Sequence, residues 1–493
     1  METVKLKGFA PDLDPMTPGI FADCNEIIPS PRGYEPLPGR ELKLPALPNV
    51  CRGAMLSYDM SGLGRIVAGT PVHLWIQQAG GWESADRPSG YDEAVSTATW
   101  RFCQYGNYTI AVNGIVEPQL LKTGEKKFSN LGGSPPKGTF VETAAYFLFL
   151  FAPPGAPNQW WCSGLGNPEN WTTDLSSQSA NGTLVQTPGA IVGARALGEN
   201  IVVYKRHSIY IGQYVGPPYV WAFKATSTEA GAIGNEAIVA IADSHVFIGD
   251  NQFYILNGGG PPQKLETPLT NWFFTDELDR RFEERVVGWW DRHKDIVFWH
   301  YSSKANATPR TTLDSWIAWN MRSNSWTRGK MNVEAVAHVQ TATAPALTYD
   351  EFGTILQRYD DANSLGYQDP SITGPKDTTV GIFLNDHAFY TLTGTPETSY
   401  FVTSDMGDPS QYTMVRRIKP LFARYPTAPV SASLSLKENL GGSTRSGQMS
   451  SHNRDTGWIN LRQTAKLHRM RLNFQGDFEM LSFSYDAVAQ GTR

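Results

Sequence analysis

The stretch from Val286 to Lys330, VVGWWDRHKDIVFWHYSSKANATPRTTLDSWIAWNMRSNSWTRGK, admits few folds. Its aromatic and β-branched runs Val286–Trp290, Asp295–Tyr301 and Trp316–Asn320 are each of strand length, and a further piece closes on Trp326. The short link Asp291–Lys294 is charged, and the longer link Ser302–Ser315 carries Pro309 among small polar residues, so neither continues a strand or builds a helix. Short antiparallel strands taken in sequence order form a meander. A four-stranded meander is one blade of a β-propeller.

The same grammar recurs along the chain. Gly64–Gly69 and Pro71–Gln77 flank a Gly-Thr-Pro turn. Gly106-Asn107 and Asn113-Gly114 separate Trp100–Cys103, Tyr108–Val112 and Val116–Lys122, the second dipeptide being a strong hairpin signal. Ala144–Ala152 and Gln159–Cys162 follow, then Ala190–Ala196, Ile201–Tyr204 and Ser208–Tyr214, then Ala237–Ala242, His245–Gly249 and Gln252–Asn257. Weaker echoes fall at Glu334–Val339, Thr354–Tyr359, Val380–Leu384 and His387–Leu392. This gives about six to eight units at a spacing of roughly 40 to 50 residues, the period of propeller blades. The composition agrees: 46 Gly and 33 Pro supply turns, while 15 Trp, 20 Tyr and 23 Phe supply strands. The fold class read from these features is all-β, a propeller of irregular blades over residues 51–395.

Both flanks differ. Residues 1–50 hold Pro11, Pro15, Pro18, Pro29, Pro31, Pro36, Pro38, Pro45 and Pro48, which predicts an extended arm without central strands. Residues 396–493 carry longer alternating runs (Tyr400–Thr403, Met414–Ala423, Val430–Leu436, Thr456–Leu461, His468–Phe474, Phe478–Tyr485), which predict an antiparallel β-sandwich with a mobile polar tip at Lys437–Asp455. One helix is predicted, Thr275–Arg285 (TDELDRRFEER). Thr275 is its cap, Leu278, Phe282 and Val286 its packed face, and the acids and arginines its solvated side.

The formal charge of −5, without a Lys/Arg run, argues against a surface that grips nucleic acid or an anionic membrane. The N-terminus has no apolar signal-like region, and the longest apolar run, Ala144–Ala152, is strand-sized, so no membrane-spanning segment is expected. Cys24, Cys51, Cys103 and Cys162 lack CxxC spacing and read as reduced core thiols; the sequons at Asn107, Asn170, Asn181 and Asn306 read as chance. No HExxH, Gly-x-Ser-x-Gly elbow or phosphate loop occurs. His293 and His300 read as hydrogen-bonded or exposed rather than catalytic, and the Gly258–Gly260 run as a turn. Asp360 with Asp361, or Asp405 with Asp408, are the carboxylate pairs a propeller glycosidase could use, but each reads first as turn chemistry. A hydrolase of this fold is expected to place acids at the starts of innermost strands. The sequence therefore indicates no catalytic residue, metal or cofactor, and no enzyme.

Trp171, Tyr219 and Trp221, beside prolines or polar turns, read as exposed aromatics suited to a protein or sugar contact. The partner-contact candidates are Tyr34 and Pro38 on the arm, and Pro217, Pro218, Tyr219 and Trp221 on the proline-flanked loop.

The order of several short motifs resembles the tail-hub or nozzle (packaged-DNA stabilisation) family of short-tailed bacteriophages. These are YEPLPG (Tyr34–Gly39), ENIVVYKRHSIYIGQYVG, GAIGNEAIVAIADSHVFIGDNQFYILNGGGPPQKLET, ERVVGWWDRHKDIVFWHY, SWIAWNMRSNSWTRG, MVRRIKP and HRMRLNFQGDFEMLSFSYD. The resemblance implies a virion protein assembled in the host cytoplasm as a ring, a homohexamer, below the portal and adaptor rings. It implies docking of tail fibres, spikes or needles, and a lumen through which DNA passes without sequence-specific binding. It carries over no catalytic residue. The polar loop Lys437–Asp455 departs from the family pattern, and the alternative reading is a propeller that binds or hydrolyses polysaccharide.

Overall fold

A computed structural model describes residues 2–59, 62–78, 80–91, 99–342 and 376–491. Its architecture is all-β, and most of the chain folds as consecutive four-stranded antiparallel meanders. The first sheet runs Ala54–Tyr58, Gly64–Gly69, Leu74–Gln78, Gly81–Ser84. The second runs Arg101–Tyr105, Tyr108–Val112, Gln119–Leu121, Ser129–Asn130. The third runs Phe140–Ala144, Phe147–Phe151, Gln159–Cys162, Ala180–Thr183. The fourth comprises Ile191–Leu197, Asn200–Lys205, Ile209–Gly216 and Val220–Ser227, and the fifth Ile238–Ile241, Ser244–Ile248, Phe253–Asn257 and Gln263–Lys264. The opening stretch of the sequence analysis lies in a seven-stranded sheet: Val287–Asp291, Ile296–Tyr301, Leu313–Asn320, Ser325–Ala342, Lys376–Leu384, Phe389–Gly394 and Gly39–Leu44.

Two devices build that larger sheet. Ser325–Ala342 pairs with Leu313–Asn320 up to Val333, slips register by a bulge at Glu334, and continues against Lys376–Leu384. One strand thus ends one meander and begins the next, as a bulge bends and twists its strand. The N-terminal strand Gly39–Leu44 then pairs with Phe389–Gly394, so residues from opposite ends of the propeller close the last sheet. The first strands of successive sheets pack side by side, and Ser325–Ala342 packs back on Ala54–Tyr58, so the cycle closes around a central channel. Between neighbouring sheets lie apolar layers. Phe147–Phe151 is buried along its whole length because it is covered on both faces.

Two further sheets form from the other strands. One comprises Ile459–Ala465, Tyr412–Arg424, Glu479–Gly491, Tyr34–Pro36 and Ile27–Pro29, with Glu2–Lys5 also on Glu479–Gly491. The other comprises Gly8–Phe9, Ile20–Asn25, Ser399–Gly407, Leu467–Phe474 and Ser431–Lys437, with Arg445–Ser446 and Ser450–Ser451 on the last. Ala432, Leu434, Met470 and Leu472 of one share a core with Val415, Ile418, Ile459 and Phe483 of the other.

Several expectations are corrected. The proline-rich arm is woven into sheets. Ile20–Asn25 lies between Gly8–Phe9 and Ser399–Gly407, and Tyr34–Pro36 lies between Glu479–Gly491 and Ile27–Pro29. Strands of two to six residues fit between the prolines, most of which sit in turns or at strand ends. The single helix is instead a π-helical turn, Trp272–Glu277, and a 3-10 turn, Arg280–Arg285, because Leu278 is extended. Thr275 caps nothing, and Asp279 accepts the Arg281 backbone N–H. Asp279 and Glu283 are buried rather than solvated, Asp279 paired with Arg281 and Glu283 with Arg206. The segment 437–455 contributes two short strands to Ser431–Lys437, and Lys437 itself is buried. Gly106-Asn107 makes the tight hairpin, while the Asn113 carboxamide accepts the Ile115 and Val116 N–H groups and turns Asn113-Gly114 into a longer loop. Thr354–Tyr359 lies outside the described residues.

Candidate functional site

Four of the meanders bring one charge each to a common point. Arg101 comes from the second sheet, Glu142 from the third, Arg195 from the fourth, and Glu236 from the turn that enters Ile238–Ile241 of the fifth. Arg195 is placed by a register shift between Ile191 and Gly193. A Cβ on Gly193 would come within 2.8 Å of Asn235, so only glycine lets the Asn235-Glu236 turn lie against this strand. The Asn235 carboxamide oxygen then accepts the Ala194 N–H at 3.1 Å, and its amide donates to Glu236 Oε1 at 2.7 Å. Arg195 donates to Glu236 Oε2 at 2.8 Å and to the Asn235 carbonyl at 3.2 Å, and stands 3.8 Å from Glu142. Arg101 lies over the Phe140 ring at 4.6 Å, with its Nε 3.4 Å from Glu236, an ion pair without an aligned hydrogen bond.

Enclosure sets the electrostatics. Burial raises the Glu142 pKa above the ordinary carboxylate range, and Arg195 offsets only part of this. Burial also opposes ionisation of Glu236, yet Arg195 and then Arg101 outweigh it and hold that carboxyl below its ordinary value. The two acids on one guanidinium are therefore pushed in opposite directions. All four side chains are largely surrounded by protein without being sealed off, Glu236 with 31% of its side chain exposed. Beside them the channel widens into a cavity of about 730 Å³, lined by Leu56, Ala240, Trp290 and His338 together with Arg195 and Glu236. Tyr58 and the Asp291–Lys294 turn also line it.

None of these four charges was singled out in the sequence. Each is the lone charge of its strand or turn, and the only signal was that position. The acids named there for a glycosidase do not form the site: Asp405 is bound to Lys437 and Arg469, Asp408 closes an exposed turn on Ser410, and Asp360 and Asp361 lie outside the described residues. His293 is exposed, whereas His300 is buried with neither ring nitrogen hydrogen-bonded among the described residues, contrary to expectation. All four cysteines are free and buried. Among the described residues no group of His, Cys, Asp and Glu could hold a metal ion, and no helix is long and apolar enough to cross a membrane.

The partner-contact candidates separate. Tyr219 is 78% exposed at the tip of the hairpin joining Ile209–Gly216 to Val220–Ser227, next to Pro217 and Pro218, which are exposed and joined by a cis peptide. Trp221 points inward, packing edge-on against Phe149 and Phe147, and Tyr34 is buried against Phe21. Pro38 is half-buried beside the cavity, and Trp171 is also buried, its indole N–H donating to the Pro168 carbonyl. Tyr219 lies in the turn itself, and the chain changes direction at Val220, whose φ is +60°, before Trp221 continues the strand facing inward. Tyr219 does have exposed company. Tyr146, Leu165, Leu175, Tyr214 and Val215 emerge at the same end of the third and fourth sheets, linked by Gly166 N–H to the Tyr146 carbonyl and by the Tyr214 hydroxyl to Gln178.

No protein-family model and no curated protein sequence matches the chain. Among solved structures it is similar to YCF48 from Cyanidioschyzon merolae, with 13% identity and a TM-score of 0.41 over 72% of this chain and 98% of that one. It is similar to the WD40 domain of Toxoplasma gondii coronin, with 9% identity and a TM-score of 0.37 over 75% and 88%. It is also similar to the computationally designed Ika8 protein, with 10% identity and a TM-score of 0.37 over 72% and 99%.

Proposed function

We propose that the chain is a non-enzymatic structural subunit of a short-tailed phage virion, a ring-forming tail hub or nozzle. In this reading the propeller has seven blades, Ser325–Ala342 being shared by the sixth and seventh, and the two remaining sheets form a β-sandwich on its flank. Six copies extend the portal and adaptor channel, help retain packaged DNA, and anchor fibres or spikes.

The observation that carries the reading is the path of the N-terminal strands. Residues 2–44 pair with Glu479–Gly491, Ser399–Gly407 and Phe389–Gly394, stitching sandwich and propeller into one body. A conduit subunit that must keep its shape against packaged DNA needs such stitching. The motif YEPLPG spans the point where the chain passes from the sandwich hairpin to the closing propeller strand, and MVRRIKP lies on Tyr412–Arg424 between two partner strands. The apolar surface around Tyr219 is the kind of patch that marks a contact between proteins. The net charge of −5 suits a lumen that should not hold DNA, since every phosphate neutralised adds affinity.

Mass photometry and negative-stain imaging of the protein mixed with portal–adaptor complexes test this reading. Six-membered rings at the end of the tail precursor are expected. Persistent monomers that never join would overturn it.

A further inference from the structure

The charges beside the cavity are held in fixed positions by one another. Arg195 and Glu236 face the cavity side by side, and Arg101 and Glu142 stand behind them. Two arginines and two glutamates sum to no net charge, so the cluster does not select for a strongly charged ligand. A guanidinium only donates and a carboxylate only accepts, whereas a hydroxyl does both. Adjacent hydroxyls on one ring are therefore matched by a fixed guanidinium–carboxylate pair. The rest of the wall mixes polar side chains, Thr378, Thr379 and the Asp291–Lys294 turn among them, with apolar and aromatic ones, and Leu56, Ala240 and Trp290 are the groups that could cover the C–H faces of such a ring. A volume of about 730 Å³ lies within the range of small-ligand sites.

We propose that this cavity binds a short neutral saccharide, with ring hydroxyls bridging Arg195 and Glu236. The site lies inside one subunit, so the proposal is independent of whether the chain assembles into a ring. Arg292, stacked over Trp290 at 5.3 Å, lines the cavity and is the group that would favour an acidic sugar instead.

Saturation-transfer NMR on the full chain with cellobiose, maltose, lactose, chitobiose and glucuronate, each alone, provides the test. At least one neutral disaccharide is expected to bind. Glu236→Gln should weaken that binding at least tenfold, and Ala240→Trp, which fills the cavity without touching the charges, should abolish it. Thermal melts show whether each variant folds, and if one does not, the other decides. Silence from every neutral sugar, binding of glucuronate alone, or binding that survives Ala240→Trp would each overturn the assignment.

Discussion

Two clusters of the same residue types occupy this molecule. In the C-terminal sheets Asp405 is 1% exposed and receives two hydrogen bonds from Arg469, at 3.0 and 2.9 Å, and one from Lys437 at 3.2 Å. In the channel Glu236 is likewise held by arginine, but its side chain is 31% exposed. Asp405 has no room for a ligand, and its bonds tie Ser399–Gly407 to Leu467–Phe474 and Ser431–Lys437. Glu236 is packed among protein groups but opens to a cavity. Access, rather than residue type or ion pairing, separates a structural cluster from a candidate site.

The comparison breaks first at Asp405. Asp405→Ala would leave the Lys437 ammonium buried without its partner, and the loss of one member of such a pair costs about 3–5 kcal/mol. Urea unfolding should show that loss, with the C-terminal sheets failing first. A variant within about 1 kcal/mol of the parent would mean that solvent reaches Lys437 and that the contrast with the channel is false.

His300 sharpens the meaning of enclosure, because it is closed off with neither ring nitrogen hydrogen-bonded among the described residues. Burial pushes its pKa down to about 3. Between the ordinary histidine range near 6.5 and that value, the unfolded chain takes up a proton that the folded chain refuses, so stability falls as the pH is lowered through this window. His245, lowered to about 4 by burial, acts in the same direction, so the variant must be compared with its parent. His300→Phe should gain on the parent by about 2 kcal/mol when unfolding at pH 4.5 is compared with pH 7. Parallel stability profiles would show that His300 is reached by water.

The legible and illegible parts of this chain divide along similar lines. The meanders were readable because each is local: Ile296–Tyr301 pairs with strands within about twenty residues of it, and its alternation is visible in a short window. The N-terminal strands were not, because Glu2 pairs with Tyr485 and Leu44 with Phe389, and proline density masks runs of two to six residues. The channel cluster was less legible still. Arg101, Glu142, Arg195 and Glu236 are single charges in four separate sheets, and only closure of the ring brings them together.

Glu236→Gln tests the other side of the comparison. Its pair is partly solvated, so the expected loss is only about 1 kcal/mol in urea unfolding. A loss as large as that of Asp405→Ala would make the channel cluster structural and remove it as a site. A small loss of stability together with a large loss of saccharide binding would mark it as a site.

Tyr219 supplies the limit of full access. With 78% of its surface exposed at a hairpin tip, its side chain contributes little to the fold, and Tyr219→Ala should change stability by no more than about 0.5 kcal/mol. The neighbouring apolar side chains Tyr214, Val215 and Tyr146 would remain. If this patch is a contact between copies or with a fibre, the same substitution should lower the fraction of assembled rings in mass photometry at a fixed protein concentration, and Tyr219→Asp should lower it further by placing a charge in a desolvated contact. Unchanged assembly in both variants would move the docking surface elsewhere on the molecule. A stability loss well beyond 0.5 kcal/mol would instead show that the tip packs against the protein, and that exposure there is no guide to partners.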